Sequence, residues 1–189
     1  MFKVINIEDT PNPDAVKFIL DKVILQSGTR QFDFARDAED HPVAKGIFAV
    51  PGVASVFFSG RFVSVTKDAA TPWNTMGPKI LEAIQGAKVE PEKEMPAAVA
   101  IGVGLTGDAL LDKINQVIDE SVRPALAGDG GGLEVISLEG KNLTIRYQGA
   151  CGSCPSAAAG TMGAIQNLLQ RMVDPELKVR SEQAMMGQY

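Results

Sequence analysis

Gly149-Ala150-Cys151-Gly152-Ser153-Cys154-Pro155 holds both cysteines of the chain and stands between a strand-like run and a helix-like run. Pro155 suits the first position of a helix, which makes Cys154 its N-cap. The first N–H groups of such a helix have no internal partners and point toward the thiols. With the helix dipole they favour negative charge. Gly149 and Gly152 bracket Cys151 and let backbone N–H groups turn toward sulfur. The pattern predicts an electropositive, thiolate-bearing corner. Two sulfurs are half of a four-ligand shell, and the only histidine, His41, falls in what reads as another domain. Either the pair works alone as a redox couple, or a second pair comes from another chain.

Three chemistries use such a pair. A thioredoxin-like dithiol expects the motif early in a βαβ unit, commonly after an aromatic residue. Here Ala150 precedes Cys151, and the motif follows a hairpin near the end of the chain. Structural zinc takes four ligands, which requires a dimer with two cysteines from each chain. A [4Fe–4S] cluster takes four thiolates, which two copies across a two-fold axis also supply. Apolar burial alone explains neither the spacing, nor the flanking glycines, nor Pro155.

Working outward, the motif lies in an α+β segment with the order helix, strand, strand, helix, strand. Asp108 can cap a helix whose apolar positions Leu110, Leu111, Ile114, Val117 and Ile118 recur at helical spacing. Pro124 ends or bends it. Gly128-Asp129-Gly130-Gly131-Gly132 is a turn. Strands 133–138 and 143–148 are joined as a hairpin by Glu139-Gly140-Lys141-Asn142. A helix over 155–172 places Met162, Ile165, Leu168, Leu169 and Met172 on one face, Pro175 stops it, and 177–180 add a last strand. Small residues (Ala157, Ala158, Ala159, Gly160, Gly163, Ala164) permit close approach to a partner or to the chain's own sheet.

Upstream, Pro91, Pro96, Gly102 and Gly104 mark a flexible linker with a cluster of charges. The expected organisation is a domain over 1–87, a linker over 88–105, a domain over 106–182 and a tail over 183–189. Each domain is large enough to fold around a small core. The first also reads as α+β. Its strand candidates are 3–7, 16–20, 31–34, 53–58 and 61–66, with a hairpin link at Ser59-Gly60. Pro42–Val50 reads as a short helix, and Thr71-Pro72 as the cap and first turn of a second with Ile80, Leu81 and Ile84 inward. His41 reads as a surface or helix-start residue and Trp73 as a core or edge anchor.

The 189 residues are 45% hydrophobic and 22% charged, the balance of a chain with a core. A net charge of −5 argues against non-specific nucleic-acid binding. No apolar run reaches the length of a membrane span. The chain enters strand-like sequence at Phe2–Ile7 without a signal-peptide core. Two close cysteines suit a reducing compartment, so the expected location is cytoplasmic, or an organelle interior if a leader has been removed. Gly102-Val103-Gly104-Leu105-Thr106-Gly107 matches a dinucleotide fingerprint by letter. The glycine turn and antiparallel hairpin after the next helix are not the parallel strand that such a unit requires.

The run from Val122-Arg123-Pro124 through Asp129-Gly130-Gly131 to Gly149–Pro155 resembles the C-terminal domain of NifU and of Nfu-type proteins, with Met162 where that family has leucine. The first half is similar to the Nfu N-terminal domain at Thr10-Pro11-Asn12-Pro13, Lys17-Phe18, Gly46-Ile47-Phe48, Pro51-Gly52-Val53, Phe62–Thr66 and Trp73. The resemblance implies a non-enzymatic iron–sulfur cluster scaffold or carrier. Cys151 and Cys154 from each of two subunits would hold one labile [4Fe–4S] cluster, or a [2Fe–2S] form, in a cluster-bridged homodimer. The implied partners are cluster-assembly factors and apo iron–sulfur proteins, with the N-terminal domain as their dock.

Overall fold

The computed structural model describes residues 1–26, 28–87, 108–152 and 155–182, with backbone alone for 155–159. The chain divides into two compact units, each α+β, at 96/97. The segment expected as a linker, the glycine fingerprint within it and the tail after Glu182 lie outside the described residues.

In the N-terminal unit, β1 (Val4–Asp9), β2 (Ala15–Leu20), β3 (Thr29–Phe32), β4 (Val53–Ser59) and β5 (Phe62–Lys67) form one antiparallel sheet in the order β1-β2-β5-β4-β3. Helices α1 (Pro42–Phe48) and α2 (Trp73–Gly86) complete its core. Alternation sets the faces: Phe18, Leu20, Val63 and Val65 meet Val43, Ile47, Met76, Ile80 and Ile84. The hairpin turn falls at Gly60-Arg61, one residue later than expected, because Ser59 pairs with Phe62 and Gly60 takes φ +52°.

Strand β3 also shifts, to 29–32. Phe32 is the residue that enters the core, and Phe34 is 56% exposed with the Arg36 guanidinium 4.5 Å from its ring centroid. Thr71 does not cap α2. The cap position is Pro72, while Asp68 Oδ1 accepts from the N–H groups of Ala70 and Thr71 at 3.0 and 2.9 Å. The Thr71 hydroxyl bond, followed by its N–H, holds the Asp68 carboxyl below the usual carboxylate range. Leu81 is only half-buried, and Met76, four residues before Ile80, takes the inward position instead. His41 does start α1, its Nδ1 accepting from Ala44 N at 3.3 Å, but it is buried against Phe32 and Phe58 rather than at the surface. Trp73 packs on the core and its Nε1 donates to Pro13 O at 3.1 Å.

In the C-terminal unit, α3 (Ala109–Val117) is capped by Asp108, whose Oδ1 accepts from Leu110 N at 2.9 Å and Leu111 N at 3.4 Å. Pro124 does not end the helix outright. It lacks the N–H that an α-helical turn would use, and the backbone widens into one π turn over Ile118–Val122 before α4 (Arg123–Gly128). Arg123 pins this bend: Nη1 donates to Leu133 O at 2.7 Å and Nε to Asp119 Oδ1 at 2.5 Å.

Strands β6 (Gly131–Glu139) and β7 (Asn142–Gly149) form the expected hairpin. Helix α5 (Pro155–Met172) then crosses to β8 (Lys178–Ser181), which pairs with β7 in parallel. Ile114, Ile118, Leu133, Val135, Ile145, Ile165 and Leu169 meet in the core. Met172, expected inward, is 57% exposed. The helix closes on Val173, whose N–H bonds Leu169 O and whose side chain takes the core contact. The polar side of α5 secures β8: Gln166 Oε1 accepts from Val179 N at 3.0 Å, and Gln170 Nε2 donates to Leu177 O at 2.8 Å.

Candidate functional site

The cysteine turn is built on the open end of the β6–β7 hairpin. Gly131 and Gly149 are paired there. Gly149 takes φ +61° and Gly130 φ +74°, conformations open to glycine. These two positions fold the chain back on itself: Ala150 N bonds Gly130 O at 3.2 Å and Gly152 N bonds Gly149 O at 3.0 Å. A turn tied by backbone bonds at both ends holds the position of Cys151.

Cys151 is 7% exposed and belongs to the core cluster of its unit. The sequence pattern places the thiols at an open helix mouth, yet this thiol is packed. Ser153 and Cys154 lie outside the described residues, so the expected cap on α5 does too. The strand before the turn and the helix after it are as expected. The expected element order holds, and the structure adds the direction of the last strand: β7, α5 and the parallel β8 form a βαβ unit, with the motif at its first junction. A βαβ context is thus present, while the hairpin before the motif and Ala150 in place of an aromatic residue still argue against dithiol chemistry.

Two further residues shape this site. Gly131 approaches so closely that a Cβ there would lie 2.5 Å from Cys151 Sγ. It belongs to the Asp129-Gly130-Gly131 run that carries the family resemblance, which implies a turn near the cysteines as structural support. Tyr147 is buried under the turn, and burial, followed by the neighbouring Cys151, pushes its phenol up to about 12. No sequence signal separates it from an ordinary strand aromatic.

On α5, Gly160, Gly163 and Ala164 are exposed, and a Cβ at either glycine would meet nothing within 4 Å. Their size therefore does not serve packing against the chain's own sheet. The side chains of 157–159 lie outside the described residues. Among the described residues no three His, Cys, Asp or Glu side chains converge as a metal site, and no helix is long and apolar enough to cross a membrane.

Two family models match. "Scaffold protein Nfu/NifU N terminal" covers residues 5–89 and "NifU-like domain" covers 114–180. The human NFU1 iron-sulfur cluster scaffold homolog, mitochondrial, is 33% identical over 94% of this chain and 70% of its own length. The Drosophila persimilis protein of the same name is 32% identical over 92% of this chain and 63% of its own. NifU-like protein 4, mitochondrial, from Arabidopsis thaliana is 29% identical over 94% of this chain. The chain spans 65% of the length of that plant relative.

Proposed function

We infer function from a plain premise: the chain belongs to the Nfu/NifU family of iron–sulfur cluster scaffold proteins. An iron–sulfur cluster is thus its cargo, and its role that of a carrier rather than an enzyme. The finer reading is that Cys151 and Cys154 from each of two copies hold one [4Fe–4S] or [2Fe–2S] cluster between them. The chain receives it from an assembly factor and passes it to apo iron–sulfur proteins.

The observation that carries this reading is the count of soft ligands against the geometry of their turn. One chain supplies two cysteine thiolates, and a cluster takes four. The turn that bears Cys151 is held by backbone bonds to a sheet, which supports a first ligand set in place before the cluster arrives. A shell shared between chains is as labile as their association, and a client can replace one subunit's thiolates by exchange. The exposed small residues of α5 leave room for close approach by the second copy. The N-terminal unit, which offers no metal-ligating cluster among its described residues, docks clients and assembly factors. The compartment is cytoplasmic or, as the names of the relatives suggest, the interior of an organelle.

Anaerobic reconstitution with iron and sulfide tests this reading. The expected product is a brown dimer with one cluster per two chains, which activates an apo-enzyme faster with residues 1–87 present than without them. The βαβ placement of the motif makes dithiol chemistry the rival. A colourless monomer that turns over disulfides supports the rival, and zinc in the anaerobically purified protein supports a structural bridge.

A further inference from the structure

We propose that Gly131 is a positioning residue for the cluster ligand Cys151: the side chain it lacks is the seat in which the sulfur lies. The inference rests on the carrier reading above and adds to it the residue that aims the first thiol. A Cβ on Gly131 would lie 2.5 Å from Cys151 Sγ, 2.9 Å from Gln148 O and 3.0 Å from Cys151 N. Real Cβ atoms essentially never come within 3.0 Å of a heavy atom. Two of the three neighbours are backbone, held by the Gly131–Gly149 pairing and the Ala150–Gly130 bond. They cannot move aside without opening the ladder. The sulfur is the one neighbour that can leave, by rotation about χ1. A methyl at this position therefore presses first on the sulfur, the nearest neighbour and the one able to rotate away, and next on Gln148 O at 2.9 Å.

The seat sets direction as well as space. Cys151 sits in a turn whose backbone is fixed, so its sulfur has only the few staggered χ1 positions. The empty side of Gly131 selects one of them, in a residue that is buried as a whole. A shared cluster needs four sulfurs at set separations, and an error at one ligand recurs in the second copy. Gly128 is a built-in control, because a Cβ there meets nothing within 4 Å and its φ is not positive.

The test uses the full chain, wild type, Gly131→Ala and Gly128→Ala. In the apo proteins, iodoacetamide labelling of Cys151 is followed by peptide fragmentation. Labelling should be about tenfold faster in Gly131→Ala and nearly unchanged in Gly128→Ala, as expected when a shielded thiol is released. Reconstitution under iron and sulfide should then give Gly131→Ala less iron and an altered visible spectrum, with Gly128→Ala matching wild type. A folded Gly131→Ala protein with wild-type labelling and a wild-type spectrum overturns the proposal. If Gly131→Ala does not fold, the double variant with Cys151→Ala decides: recovered folding supports the sulfur seat, and no recovery overturns it. A wild-type chain that takes up no iron overturns the carrier reading itself, whatever the labelling shows.

Discussion

Replacing Cys151 with alanine should destabilise the apo protein, which a thiol at an open helix mouth would not do. The sulfur is about the size of a methylene, and burial of such a group contributes about 0.8 kcal/mol. A cavity term adds to this where the surroundings cannot collapse. They cannot here: the space borders Gly131 and the backbone of Gln148 and Cys151, all within a hydrogen-bonded ladder. The sum is about 1–2 kcal/mol. For a domain of this size each kcal/mol moves Tm by about 4–8 °C, so the apo C-terminal unit should melt roughly 5–15 °C lower. Urea or thermal unfolding under reductant, followed by far-UV circular dichroism, reads the loss. The chain provides its own control, because its one tryptophan, Trp73, packs in the N-terminal core. The transition seen by tryptophan fluorescence should not move. A Cys151→Ala protein whose C-terminal unit unfolds within a few tenths of a kcal/mol of wild type would refute the packed position of the sulfur.

Two further outcomes follow from single contacts. Gly52→Ala should lower the tryptophan-monitored transition by about 1–3 kcal/mol, because Gly52 has φ +93° and a Cβ there would lie 2.4 Å from Thr71 Oγ1; an unmoved Trp73 transition contradicts this. Glu182→Gln should destabilise the C-terminal unit at neutral pH and lose that effect in acid. The Arg146 hydrogen bonds, 2.5 Å from Nε and 3.0 Å from Nη2, hold the Glu182 carboxyl below its ordinary value. A depressed folded pKa gives stability that is present above the unfolded value of about 4.3 and is lost as pH falls through the folded one. Urea midpoints of variant and wild type should therefore converge toward pH 3, and a gap independent of pH would oppose this.

Much of the fold was legible because local rules and tertiary packing agree. Asp108 caps α3, Gly140 turns the β6–β7 hairpin at φ +60°, and the periodic run before Met172 forms α5. The misses lie where packing chose between neighbouring residues. The strand pattern around residues 29–34 has two phenylalanines two apart, and pairing with β4 decided that Phe32 goes in and Phe34 out. Pro124 signalled an end or a bend and the chain bends, but the form of that bend depended on Arg123 reaching Leu133 O on another element. The parallel pairing of β7 and β8 was hidden because a four-residue strand carries no mark of its direction. At the site, the Cys-x-x-Cys spacing named the chemistry, while the burial of Cys151 depends on a glycine twenty residues earlier in the chain. No local pattern links the two.

That burial bears on how Cys151 could stay intact in the proposed carrier before a cluster binds. Thiolates attack disulfides and are oxidised in proportion to their access and their charge. An exposed vicinal pair on a carrier awaiting cargo would oxidise readily. A thiol seated on Gly131 inside the turn is shielded by contacts that cost no ligand and no extra side chain. The turn is anchored to β6 and β7 yet leads directly into α5. Movement of the sulfur therefore needs only a side-chain rotation rather than refolding of the unit. If four ligands are shared between two chains as proposed, lability would come from that sharing, and protection from a backbone seat within each chain.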